Sequence, residues 1–208
     1  LLRPGDHVVI SDMEHNAVLR PVVRCAGSGG IEYDVFSTML ETEEERRLRN
    51  ATRICARIAA KIKPNTRAVI CSHQSNLCSA TLPLCEIGAF CRRHHLYFIV
   101  DASQSAGHLP IDMQAMSIDG LCVPGHKGLL GPQGTGILLC AREAQPLLQG
   151  GTGSESVRQD MPDDLPERLE AGTVNVPGIV GLSAGLEYLL KTGVEKIGCR
   201  ERRQRKRC

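Results

Sequence analysis

Six short apolar runs, separated by helix-periodic or turn-rich stretches, constrain this chain more than any other feature of its sequence. They are His7 to Ile10, Ile31 to Phe36, Ala68 to Cys71, Leu96 to Val100, Leu121 to Val123 and Ile137 to Leu139, and each reads as a strand. The spacing between them predicts helices from Asn16 to Val23, over 42–62 and from Pro83 to His95, and a further one from Pro177 to Leu190. In the helix over 42–62, Thr42 and Glu45 form a capping box. Leu48, Ala51, Cys55, Ile58 and Ile62 make its apolar stripe, and Lys63-Pro64-Asn65-Thr66 ends it. Pro83 suits a first helical position. Residues 150–168 are rich in Gly, Ser, Asp and Pro and read as a long loop. Strands alternating with helices predict an α/β domain with a mostly parallel sheet flanked by helices.

Charge and composition narrow the function classes. The net charge of +2 over 208 residues is unevenly spread. Residues 200–208 hold six basic side chains and one Glu, a local +5, which leaves −3 for residues 1–199. The body is therefore no nucleic-acid-binding domain by charge, and only the tail could act as a basic patch. Six aromatic residues without a Trp argue against a base-stacking platform. No run approaches 18 apolar residues, so no membrane span is expected. The ten cysteines contain no C-x-x-C pair and no metal-ligand spacing. Several lie in apolar runs, so the expectation is reduced core cysteines, no metal and a cytoplasmic protein.

In a parallel sheet, ligands bind beyond the carboxyl ends of the strands. The residues there are Ser72 to Asn76, Asp101 to Gln104, and Gly125-His126-Lys127. Lys127 opens a glycine-rich stretch that ends at Gly136. It is not a phosphate-cradling P-loop, which needs Gly before the lysine and Ser or Thr after it; here His126 and Gly128 stand there. Gly131, Gly134 and Gly136 run in the reverse order of the dinucleotide fingerprint and lead into a strand. A lysine near glycines is ordinarily an exposed loop amine. A lysine that takes pyridoxal phosphate covalently needs a carboxylate at the ring nitrogen to keep the ring an electron sink. Asp101, at the end of the strongest strand, suits that task.

Val100-Asp101-Ala102-Ser103-Gln104-Ser105-Ala106-Gly107-His108, followed by Pro124-Gly125-His126-Lys127-Gly128, resembles the class V aminotransferase family of pyridoxal-phosphate enzymes, within it the cysteine desulfurase and selenocysteine lyase branch. Met13-Glu14-His15-Asn16-Ala17, Ser72-His73-Gln74-Ser75-Asn76, Gly150-Gly151-Thr152-Gly153 and Glu170-Ala171-Gly172-Thr173 match in the same order. The resemblance implies the large domain of a fold-type I transferase over residues 1–198, incomplete at both ends, with 199–208 as a basic tail on a truncated helix. It implies Lys127 as the Schiff-base lysine and base, Asp101 at the pyridinium nitrogen, and Gln104 at the ring hydroxyl. It further implies His15 stacked on the ring and handling protons, Asn76 near the ring hydroxyl and substrate carboxylate, and His126 on the phosphate. Thr173 would reach the phosphate of a neighbouring subunit, which implies a homodimer.

The activity implied is removal of sulfur or selenium from L-cysteine or selenocysteine to leave alanine, with a sulfur-acceptor protein as partner. Two alternatives stay open: transamination of a small amino acid, and a catalytically silent structural or interaction homologue. Pro124 stands where many relatives carry a phosphate-binding Ser, and Ser79 where they usually have Gly. The sulfur-accepting cysteine and the substrate-carboxylate arginine are expected outside this chain, with Cys199 and Cys208 as the only rivals. The isolated segment is accordingly expected to be inactive.

Overall fold

A computed structural model describes residues 2–38, 51–78, 80–155 and 157–205. Among these residues six strands form one sheet: β1 (His7–Ser11), β2 (Glu32–Phe36), β3 (Thr66–Ser72), β4 (Tyr97–Asp101), β5 (Gly120–Pro124) and β6 (Gly136–Cys140). Their order across the sheet is β2-β1-β3-β4-β5-β6. The first five run parallel, and β6 returns antiparallel to β5. The mostly parallel α/β sheet expected from the alternation is therefore present. Its parallel strands all end on one edge, and that edge carries the site.

Among the described residues five helices accompany the sheet: α1 (Asn16–Gly29), α2 (Ala51–Ala59), α3 (Leu84–Arg93), α4 (Val176–Thr192) and α5 (Val194–Arg205). On one face, Ile54 and Ile58 of α2 and Ile87 and Phe90 of α3 pack with Val9, Val69, Phe98 and Val100. On the other, Val22 of α1 joins Val8, Ile10, Ile31 and Ala68. β1 is buried along its whole length, as a central parallel strand should be. Each fully buried Val, Ile or Phe here contributes about 1.5–3 kcal/mol by leaving water.

The structure moves several boundaries. α1 continues beyond Val23 to Gly29, and stops where Gly30 turns left-handed (φ 69°) and donates its N–H to Cys25 O. Pro83 is the N-cap of α3 rather than its first residue, and α3 ends at Arg93. Capping-box residues Thr42 and Glu45 lie outside the described residues; the helix beyond them is buried through Ile54 and Ile58, with Cys55 only half-buried. The described residues from 150 to 166 form no helix or strand, and a 3-10 turn, Glu167–Leu169, takes up the end of the expected loop. α5 runs through residue 198, so the basic segment is a continuation of a helix that starts at Val194. Among the described residues no helix is long and apolar enough to cross a membrane.

The expectation of core cysteines needs correction. Of the nine described, all free, only Cys71 and Cys91 are buried. Cys25, Cys78, Cys85, Cys122 and Cys199 are exposed. The physical reason shows in β5, where Leu121 and Val123 turn inward and Cys122 between them takes the opposite face. Burial pushes the Cys91 thiol up to about 12, whereas a hydrogen bond with Ser75 is the main cause lowering that of exposed Cys78. β6 is likewise no buried strand, because it closes the sheet with an open edge: Leu138 and Leu139 are both exposed.

Candidate active site

β3 and β4 end side by side, with Ser72 in register with Asp101. Asp101 is buried, and its Oδ1 accepts the Ser103 N–H at 2.8 Å, so the turn leaving β4 organises around its own carboxylate. The His73 N–H donates to the Asp101 carbonyl at 2.9 Å and carries the pairing one residue beyond the strands. Behind this row, His73 Nδ1 meets Ser105 Oγ at 2.8 Å, and His108 Nε2 meets the Gln74 side-chain oxygen at 3.1 Å. Burial first, and the His108 charge second, push His73 down to about 4, so the ring is neutral near pH 7.

The glycine-rich turn after β5 brings Lys127 to the same edge. Leu130 N–H donates to Lys127 O at 3.0 Å, and Gly131 N–H to Gly125 O at 2.8 Å. The turn lies directly against the segment that succeeds β4. A Cβ on Gly128 would lie 2.0 Å from the Ala106 carbonyl oxygen, and one on Gly107 2.0 Å from that of Gly128. Only glycines allow the two backbones to touch, and that contact brings the amine to the carboxylate. His15 is the N-cap of α1, accepting the Ala17 N–H on Nδ1 at 3.1 Å. Its acceptor nitrogen is thereby assigned, and the other carries the proton in the neutral ring.

His15, Asn76, Asp101, Gln104 and Lys127 line one small gap together with Met13, Ser72, Gln74 and Ser103. Five of the seven residues singled out from the sequence thus meet at one place. Exposed His126 and exposed Thr173 do not line this gap. Sequence reasoning gave no role to Ser72 and Glu14. The rule that selected Asp101, attention to the residues at and just beyond the carboxyl end of a parallel strand, points to both when applied to β1 and β3.

The gap holds about 10 Å³, room for about one water molecule. A cavity of about 560 Å³ beside it shares Asp101 and Ser103 and is otherwise lined mainly by apolar groups such as Ile99, Ile137, Leu138 and Leu169. The titratable side chains named above line the small gap, while the larger cavity follows the open face of β4 to β6. The donor set fits pyridoxal phosphate: an anion for a protonated ring nitrogen, an amine for the aldehyde, an imidazole for the ring face and amides for its oxygens. His15 and Asn76 are exposed. Among the described residues no cluster of His, Cys, Asp or Glu could hold a metal ion.

The profile of aminotransferase class-V proteins matches residues 1–208. The chain belongs to the class V aminotransferase family. A curated probable cysteine desulfurase of Methanothermobacter thermautotrophicus is 33% identical over 201 residues, which are 94% of this chain and 48% of the relative. The structure of apo cysteine desulfurase from Thermococcus onnurineus superposes with a TM-score of 0.81 at 30% identity, covering 99% of this chain and 50% of that one. A variant of C-DES, with glycine covalently linked to its pyridoxal phosphate cofactor, superposes with a TM-score of 0.71 at 28% identity, covering 94% and 52%. This class V chain spans about half the length of these relatives.

Proposed function

We propose that the protein is a pyridoxal-phosphate-dependent cysteine desulfurase and that residues 1–198 carry its cofactor site. The observation that carries this reading is the meeting of Lys127, Asp101, Gln104, His15 and Asn76 at one gap, on the edge where the parallel strands end. When bound, the cofactor supplies an electron sink that makes the substrate α-proton and β-substituent labile. The chain's own residues then have distinct tasks. Lys127 Nζ holds the cofactor covalently and, once freed, moves the α-proton. The Asp101 carboxylate keeps a proton on the ring nitrogen. Gln104 and Asn76 orient the ring hydroxyl, and Asn76 also receives the substrate carboxylate. His15 covers the ring face and handles protons while the C–S bond breaks. A cysteine thiolate outside this chain attacks the substrate sulfur, so the S–S bond forms as the C–S bond breaks, and the electron pair left on Cβ takes a proton to give alanine. His126 binds the phosphate, and Thr173 serves the site of a second copy in a homodimer.

The substrate is L-cysteine or selenocysteine, the product alanine, and the sulfur leaves to an acceptor protein in the cytoplasm. The relatives named as cysteine desulfurases favour this over transamination, and the convergent charged set favours it over a silent homologue. The test is covalent capture in the full-length protein. Pyridoxal phosphate is added, the adduct is fixed with borohydride, and the modified residue is located by peptide mass spectrometry. Label on Lys127, absent in Lys127→Ala, with alanine formed from cysteine by the wild type only, supports the reading. Label elsewhere, or none, refutes it.

A further inference from the structure

Glu14 is the carboxylate that the tasks above leave unused. It lies between β1 and α1, directly before His15. Its Oε1 accepts the Ser72 N–H at 2.8 Å and also the Ser11 hydroxyl, while Oε2 accepts the Ser72 hydroxyl at 2.8 Å. Ser11 is the last residue of β1, and Ser72 is the last of β3 and the register partner of Asp101. One half-buried carboxylate therefore ties two strand ends together beside a third. All three donors are neutral, so the charge is spread and not cancelled. Burial is the main cause raising Glu14, the Asp101 charge raises it further, and the hydrogen bonds from Ser11 and Ser72 oppose both.

As a mere clamp, a carboxylate here is a costly choice. A neutral amide could accept from Ser72 without facing Asp101, whereas Glu14 brings a second negative charge into a partly buried site. The Cys71 thiol also registers that charge, which adds to the burial that pushes it up. The cost reverses when a cation sits against Asp101, because both carboxylates then attract it.

We propose that Glu14 is a positioning residue of the cofactor site, fixing Ser72 against β1 and adding its charge to that of Asp101, so that the pair selects a ring whose nitrogen carries a proton. This rests on the cofactor reading of Asp101 and Lys127. The test compares pyridoxal phosphate with its 1-deaza analogue, in which C–H replaces the ring nitrogen and no proton can be held there. Both are titrated by absorbance into the full-length protein and into its Glu14→Gln, Glu14→Asp, Ser72→Ala and Asp101→Asn variants, with thermal unfolding recorded for each. Gln keeps the size and an acceptor but loses the charge. Glu14→Gln is expected to weaken pyridoxal phosphate roughly 3–10-fold and the analogue less than about twofold, while Ser72→Ala weakens both alike. Equal loss for the two ligands in Glu14→Gln, or no loss, overturns the proposal. If Glu14→Gln does not fold, Glu14→Asp decides: the wild-type preference between the ligands is expected to persist, and its collapse to the Asp101→Asn value overturns the proposal. Asp101→Asn must itself discriminate. If it does not, the cofactor reading falls and this inference with it; if it does and Glu14→Gln does not, this inference alone falls.

Discussion

His15 carries two jobs that separate by substitution. Its Nδ1 accepts the Ala17 N–H, so it caps α1, and the same ring lines the gap beside Lys127. Replacing a capping acceptor by Ala costs about 1 kcal/mol, whereas Asn is among the best caps. His15→Ala is therefore expected to lower the thermal midpoint by a few degrees and to lose turnover, while His15→Asn keeps the midpoint and loses turnover alone. Circular-dichroism melts and an alanine-release assay check this, and full activity in His15→Asn would remove the imidazole from the chemistry. The capping role was not legible in the sequence. A histidine is an infrequent cap, and the extended backbone at His15 (φ −70°, ψ 155°) is what brings Nδ1 to the Ala17 amide.

At the scale of elements, the decisive contact is between the segment after β4 and the turn after β5. Gly107 and Gly128 meet backbone to backbone, and a methyl at either would overlap a carbonyl oxygen. Gly128→Ala must push the Lys127 turn away from Asp101. It is expected to cost about 1–3 kcal/mol and to abolish borohydride capture on Lys127, even though amine and carboxylate are both still present. Thermal unfolding and the capture assay measure this together, and unchanged values in both would show that the turn has room to spare. Gly128 was read from the sequence as the residue that excludes a P-loop and as part of a family motif, with no packing role. Its partner Gly107 lies 21 positions earlier, beyond the range of any local pattern.

For the whole molecule, His73 sets an acid limit. Its folded value is about 4, whereas in the unfolded chain it titrates near the ordinary 6.5. Between those values the unfolded state binds more protons, so stability falls as pH falls through the window and levels off below it. The full loss is about 3 kcal/mol at this buried site. His73→Asn, which can keep a hydrogen bond to Ser105, is expected to lose markedly less stability between pH 7 and pH 4.5 than the wild type. Urea unfolding at the two pH values checks this, and identical losses would assign the acid limit to other groups.

The sequence by itself determined the α/β class, the run of strands and the edge on which to look. Those depend on local periodicity and on the rule that parallel strands end together. Asp101 and Lys127 were legible because each stands at or just past the end of a strand. The tertiary structure decided which of these strand ends touch: it gathered His15 and Asn76 with them and left His126 and Thr173 outside the gap. It decided that Cys122 faces outward and that β6 is an open edge, since which side of a strand is covered depends on what packs there. It also exposed Glu14 as the link between β1 and β3, because a hydrogen bond across 58 positions leaves no trace in local spacing.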